Sequence, residues 1–231
     1  MLEMTRMPPL PGLVDVTVTA NGRTLIDGLT LQLGSQRTVL LGPNGAGKSL
    51  TLRLIQGLIE PEQGYIRQGA GRTSLVAQQP VLLRRSVRAN LDHALKIHGI
   101  AKTARPGRIL HLLGLGRLTD LAERPARVLS GGEQQRLSLL RALAAEPAML
   151  LLDEPSAHLD PQSTAHIERV IFAAAVPFLL ITHDLGQARR MADRVLFMHH
   201  GRLVEDTPAD AFFTQPQSAE ANAFLNGDLI L

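Results

Sequence analysis

Residues Gly42, Pro43, Asn44, Gly45, Ala46, Gly47, Lys48 and Ser49 spell GPNGAGKS directly behind the apolar run Val39-Leu40-Leu41. This is a full G-x-x-x-x-G-K-[ST] motif, and its setting predicts a buried strand running into a phosphate-binding loop and then a helix over Ser49 to Leu58. Three glycines let the backbone curl so that N–H groups face phosphate oxygens. Lys48 reaches the outer phosphates, and Ser49 offers a hydroxyl to Mg²⁺. The positive end of the following helix faces the same anion. A chain with this junction must build an α/β core around it and is expected to bind a nucleoside triphosphate.

The chain has 231 residues, 45% of them hydrophobic, which allows one domain, or one core with an inserted lobe, and leaves no room for two enzymes. Its longest apolar stretch, Val170 to Ile181, is interrupted by Pro177 and is shorter than the roughly 20 residues that cross a bilayer. Met1 to Gly12 has prolines where a signal peptide would have an apolar core. Cysteine is absent, which excludes disulfides and thiolate metal sites and fits a reducing compartment. The net charge is only +3 and aromatics make up 3%, so no nucleic-acid footprint is expected.

Two more apolar runs end in polar residues. Met149-Leu150-Leu151-Leu152 leads to Asp153-Glu154-Pro155, and Phe178-Leu179-Leu180-Ile181 leads to Thr182-His183-Asp184. Continuous apolar runs of this kind suit a parallel sheet buried on both faces, whose carboxyl edge collects the ligand-binding groups. Asp153 is the expected Mg²⁺ partner, acting through water, and Glu154 is left for another role. Taken by itself His183 reads as a helix-start histidine, with Asp184 capping the helix that follows, but as the third member of this set it is expected to surround one triphosphate with Lys48, Asp153 and Glu154.

Between the first two runs lies Leu129-Ser130-Gly131-Gly132-Glu133-Gln134-Gln135-Arg136. Ser130 and Glu133 form a capping-box pattern. A capping box does not need Gly131 and Gly132, which leave backbone N–H groups bare at a helix start and suit a second phosphate. The chain's own loop already covers its own phosphates, so the second site should serve another subunit's nucleotide.

LSGGEQQR, with the phosphate loop upstream and LLLDEP and THD downstream, resembles the ATP-binding cassette of ABC proteins over Val14 to Asp206. The resemblance implies an α/β P-loop NTPase fold: a RecA-like, mostly parallel core, an antiparallel β subdomain and an inserted helical subdomain. On that pattern 1–231 is a single ATPase domain, with catalytic core 1–84 and 146–231 and helical subdomain 85–145. It implies a head-to-tail homodimer closing over two ATP molecules, with Ser130, Gly131, Gly132 and Glu133 facing the partner's nucleotide.

The same resemblance assigns roles. Gln78, in preference to Gln79, senses the metal and the attacking water; Glu154 polarises that water; His183 touches the γ-phosphate. Ser49, Gln78 and Asp153 form the metal set, and Ser156 to Asp160 the loop that crosses to the partner. Two positions depart from the family pattern. Ala20 stands where an adenine-stacking aromatic is usual, which predicts weak discrimination of ATP from GTP. Leu50 in the nucleotide-binding stretch replaces a hydroxyl residue.

The stretches QQPVLLRRSVRANL, THDLGQARRMADRVLFMHHGRLVE and TPADAFF resemble the ATP subunits of bacterial tungstate importers, with phosphate importers as near neighbours. The function this implies is ATP-driven import of an oxyanion, tungstate first, from the cytoplasmic face of the cell membrane. The partners would be a polytopic permease and, indirectly, an extracytoplasmic solute-binding protein. In transporters the helical lobe holds a groove for the permease, and Val81, Leu82 and Leu83 with Arg84 and Arg85 could line it or be ordinary lobe core with two solvated arginines. His199-His200 before Gly201 reads as a hairpin turn rather than a metal site. The short tail after Asp206 leaves no room for an appended regulatory domain. The competing readings are a soluble ABC ATPase, such as an iron–sulfur assembly type, and a nucleotide-binding regulator without turnover.

Overall fold

A computed structural model describes residues 10–228. Most of the opening segment, with its prolines at 8 and 9, and the final Leu231 lie outside the described residues. The chain divides into two compact units, 1–72 with 177–231, and 73–176.

The first unit holds two sheets. Strands β1 (Gly12–Ala20), β2 (Arg23–Gln32) and β4 (Gln63–Arg67) form an antiparallel sheet in the order β2-β1-β4. The β1–β2 hairpin turns at Asn21-Gly22, both with positive φ, as a two-residue loop requires. Leu13, Val16, Ile26, Leu29 and Leu31 are buried, the inward face being kept across register shifts that break simple alternation. In the other sheet β3 (Arg37–Leu41) lies parallel to both β7 (Phe178–Ile181) and β8 (Arg194–His199). Val39 to Leu41 and Phe178 to Ile181 are all buried, as central parallel strands must be. Strand β9 (Arg202–Pro208) returns antiparallel to β8 through His200-Gly201, where φ is 47° and 77°. The histidine pair thus opens a hairpin turn, as its sequence suggests.

Helix α1 (Lys48–Ile55) follows β3, and its buried face carries Leu52, Leu54 and Ile55. It ends three residues before the expected Leu58, because the chain passes through Gln56 into Gly57 at φ 72°. Arg37 at the head of β3 makes a forked pair with Asp193, whose backbone N–H also donates to the Arg37 carbonyl at 2.8 Å. Arg194 similarly clasps Asp206 and donates to the Gln32 carbonyl at 2.9 Å, tying the two sheets of this unit together. Phe197 stacks against Phe212 and Phe224, with ring centroids 5.9 and 5.3 Å away.

In the second unit β5 (Thr73–Val76) and β6 (Met149–Asp153) pair in parallel, Thr73 opposite Met149 and Val76 opposite Leu152. Around them lie α2 (Val87–Ile97), α3 (Arg105–Gly116), α4 (Gly131–Leu143) and α5 (Pro161–Ala174). Pro106 does not interrupt α3: it sits in the first turn, where a proline lacks no needed N–H. Leu137, Leu139, Leu140 and Leu143 of α4 are buried, and the helix packs on α2, α3, α5 and β5. Helix α4 thus joins the helices of this unit to a strand.

Candidate nucleotide site

Each unit carries its own part of the nucleotide motifs. In the first unit β3 delivers the chain to Gly42, where φ is 145°. A Cβ there would sit 2.1 Å from the Met198 carbonyl oxygen, so only glycine lets the loop leave the strand. Gly45 and Gly47 also have positive φ, and Gly47 caps α1 in the left-handed conformation. Alternation of hand along such a loop turns successive N–H groups to one side and makes an anion-binding concavity. The loop is held from behind by the β8–β9 turn, since Gly201 donates its N–H to the Ala46 carbonyl at 3.1 Å.

Lys48 is buried, and its ammonium donates to the Gly42 and Pro43 carbonyls, both at 2.8 Å. The positive charge is thus anchored across the loop it serves. Ser49 is half-buried in the first turn of α1, Leu50 beside it likewise. The neighbouring Thr51 hydroxyl is spent on the Gly47 carbonyl at 3.0 Å and cannot stand in for the hydroxyl missing at Leu50. Leu40 pairs with Ile181, so the loop and Thr182-His183 leave the same edge of the sheet. His183 is exposed there, and Asp184 caps α6 (Leu185–Met191) through the Gln187 N–H at 3.0 Å. The capping function of Asp184 and the edge position of His183 therefore coexist.

In the second unit the paired strands β5 and β6 end side by side. Gln78 follows one and Asp153-Glu154 the other, and the Gln78 amide donates to a Glu154 carboxylate oxygen at 3.3 Å. Gln79, like Gln78, is exposed. Glu154 itself has φ 47°, uncommon outside glycine, as the chain turns after β6. The turn after it is tight: Ala157 donates to the Glu154 carbonyl and Leu159 to that of Ser156. Asp160 then caps α5 through the Ser163 N–H at 2.9 Å, and that hydrogen bonding holds its carboxyl below the usual range.

The helix-start motif forms both halves of its capping box. Ser130 N–H donates to Glu133 at 2.8 Å, and Glu133 N–H to the Ser130 hydroxyl at 3.4 Å. Ser130 and Gly131 are exposed, whereas Gly132 is buried with Ser163 so close that a Cβ would lie 2.5 Å from its hydroxyl. The cap explains Ser130 and Glu133, and close packing against α5 explains Gly132.

Two positioning residues give no motif signal. Gln135, buried in α4, donates to the Ala77 carbonyl at 3.1 Å and fixes the residue before Gln78. Asn90, fully buried in α2, both donates to and accepts from the Leu83 backbone and so shapes the loop from Val81 to Ser86. Their partners are 58 and 7 residues away, beyond any local pattern.

Comparison with known proteins decides what these parts belong to. The model of the family described as ABC transporter matches residues 26–157. The chain belongs to the ABC transporter family. It is an ATP-binding subunit of that family, an ABC ATPase. A phosphate import ATP-binding protein of Natronomonas pharaonis is 34% identical over 91% of this chain and 84% of its own. A tungstate uptake system ATP-binding protein of Peptoclostridium acidaminophilum is 37% identical over 83% of this chain and 94% of its own. Relatives named for import of iron(III) ions and of methionine match to a comparable degree. A dimeric ATP-binding cassette solved in a post-hydrolysis state with ADP and phosphate shares the fold, with a TM-score of 0.77 at 23% identity over 87% of this chain and 99% of that one. The α/β ABC fold expected of the ABC ATPase is the fold it has. Among the described residues no helix is long and apolar enough to cross a membrane.

Proposed function

We propose that this ABC ATPase powers import of an oxyanion, tungstate in the first place, by hydrolysing ATP as a homodimer at the cytoplasmic face of the cell membrane. The observation that carries the hydrolytic part is the Gln78–Glu154 hydrogen bond at the ends of β5 and β6. A carboxylate so placed and oriented by an amide is what activating a water requires. Phosphoryl transfer needs positioning and charge neutralisation more than covalent help. In this reading the loop from Gly42 to Ser49, with Leu50, cradles the triphosphate and Lys48 neutralises it. Glu154 polarises the attacking water, and His183 contacts the γ-phosphate.

Ser49, Gln78 and Asp153 would hold Mg²⁺. All three offer hard oxygen atoms, and so small a protein set leaves room for phosphate and water, which suits that ion. Bound there, it would draw negative charge from the β- and γ-phosphates. Ser130 and Gly131, exposed at the start of α4, with Gly132 and Glu133 behind them, would close over the partner's nucleotide, and Ser156 to Asp160 would reach across to it. On the family pattern 85–145 is the helical subdomain and 1–84 with 146–231 the catalytic core.

Relatives named for tungstate and for phosphate support an oxyanion, with phosphate as the second reading. The permease would contact this subunit, and the solute-binding protein would act through the permease. Affinity purification of the tagged chain from gently solubilised native membranes tests the proposal. One polytopic membrane protein should accompany it in near-equal amount, and the associated binding protein should prefer tungstate to phosphate. Recovery from the soluble fraction alone, or with a cytosolic assembly factor, would replace the importer by a soluble ABC ATPase.

A further inference from the structure

We propose that the surface shared by α3, α4 and α5 holds an anion site, outside the nucleotide-binding residues, that takes a tetrahedral phosphate-class oxyanion, free or on a lipid headgroup. The site is a cavity of about 160 Å³ on the second unit. At ~30 Å³ per water it has room for one oxyanion and a few waters. Three elements each contribute an arginine to its lining: Arg117 just past α3, Arg136 on α4 and Arg169 on α5. His166, one turn before Arg169, completes the wall, with Gly116 and Val170 giving apolar surface. No carboxylate lines it.

A basic cluster on an ordinary surface is interleaved with acidic partners, whereas here the nearby acids lie outside the cavity lining and each already accepts a backbone hydrogen bond. Asp160 and Glu133 lie near Arg136 at the starts of α5 and α4, but Asp160 accepts from Ser163 N–H and Glu133 from Ser130 N–H. Arg136 Nε is buried without a hydrogen-bond partner, a costly condition that an anion would relieve. Arg117 Nη1 lies 3.4 Å from His166 Nε2, and Arg169 spends only its Nε, on the Ala165 carbonyl at 3.1 Å. Arg117 is held in the left-handed conformation, φ 52°, that places it over the cavity wall. Guanidinium groups converging from three helices are suited to the forked hydrogen bonds of phosphate oxygens.

The imidazole reports occupancy. Burial, then Arg169, Arg136 and Arg117, hold the His166 pKa below its usual value, with Asp160 opposing them. A bound dianion would reverse the sign of the local field and raise it, by about one unit for an opposite charge at 4–6 Å. The experiment follows the His166 ring by NMR against pH in the full chain, with ADP at saturation so that the phosphate-binding loop is filled. His166→Asn assigns the signal.

Sodium phosphate should raise the His166 pKa relative to sodium chloride of equal ionic strength, or vesicles of phosphatidylglycerol should do so where phosphatidylcholine does not. The first result names a free ion as the ligand, the second a lipid headgroup. In Arg169→Gln the phosphate-dependent rise should vanish although His166 still titrates, and Arg169→Lys should restore part of it. No rise with phosphate or with either vesicle, an equal rise with chloride, or an undiminished rise in Arg169→Gln would overturn the site.

Discussion

At the scale of single residues, the requirement at Gly42 is set by the loop's own neighbour, the Met198 carbonyl of β8, and not by the nucleotide. Gly42→Ala places a Cβ 2.1 Å from that oxygen and asks alanine to adopt φ 145°. The backbone conformation alone costs roughly 1–3 kcal/mol, and the overlap adds to it. The variant should unfold at lower temperature than the parent and gain little stability from added ATP. A melting curve with the parent's midpoint and ATP response would show that the loop has another way out of β3.

Ala20 makes the opposite case, since nothing crowds it: it is exposed at the end of β1 beside the Asn21-Gly22 turn. Ala20→Tyr should leave stability nearly unchanged. If an aromatic at this position stacks on the base, it should add about 1–3 kcal/mol, a gain of roughly 5-fold to 150-fold in ATP affinity. Titration with a fluorescent ATP analogue and competing ATP and GTP measures both affinity and discrimination. Unchanged ATP affinity would mean that another group already covers adenine.

The motif residues were legible because the chemistry needs particular side chains at fixed spacings. Lys48, Asp153 and Glu154 can be picked out for that reason. Asn90 and Gln135 were not, because their work is to bond backbone groups of distant loops, at Leu83 and Ala77, and any buried amide in a helix has the same local appearance.

Among elements, the three apolar runs stand out in the sequence because buried parallel strands admit no polar interruption, and all three are strands here. The boundaries were less visible. Helix α1 starts on Lys48 and stops at Ile55, since Gly57 turns left-handed where apolar Leu58 suggests continuation. The pairing of β1 with both β2 and β4 was hidden for a different reason: its register is broken by bulges near Val16 and Thr17, so no clean alternation marks the strand.

Helix α4 places a structural demand on Ser130, the proposed function places a second one on the same residue, and substitution can separate them. Ser130→Asn keeps an oxygen that can cap the helix, whereas Ser130→Ala removes it at about 1 kcal/mol. If Ser130 also contacts the partner's phosphate, Ser130→Asn should melt close to the parent yet lose most ATPase activity, because the larger amide cannot replace a hydroxyl at a phosphate. Parental activity in the stable Ser130→Asn variant would reduce Ser130 to a helix cap.

The whole molecule raises a question that one chain cannot answer from its own contacts. The helix-start motif is built and exposed, yet the chain's own phosphate loop has a full set of groups without it. In the proposed homodimer a second copy would supply the reason for both, and then ATP should act as the glue of the dimer and hydrolysis as its release. Glu154→Gln isolates that step. Glutamine keeps the size of Glu154 and a group able to pair with Gln78, now at 3.3 Å from the carboxylate, but it cannot take a proton from water. ATP affinity should be retained, while hydrolysis should fall by at least about a hundredfold, the lower range for losing a general base. With ATP the variant should run at twice the monomer mass in light scattering, with ADP at the monomer mass, and the parent should dimerise only transiently. A dimer that forms equally with ADP would detach assembly from the γ-phosphate, and normal turnover in Glu154→Gln would move the catalytic role to another residue.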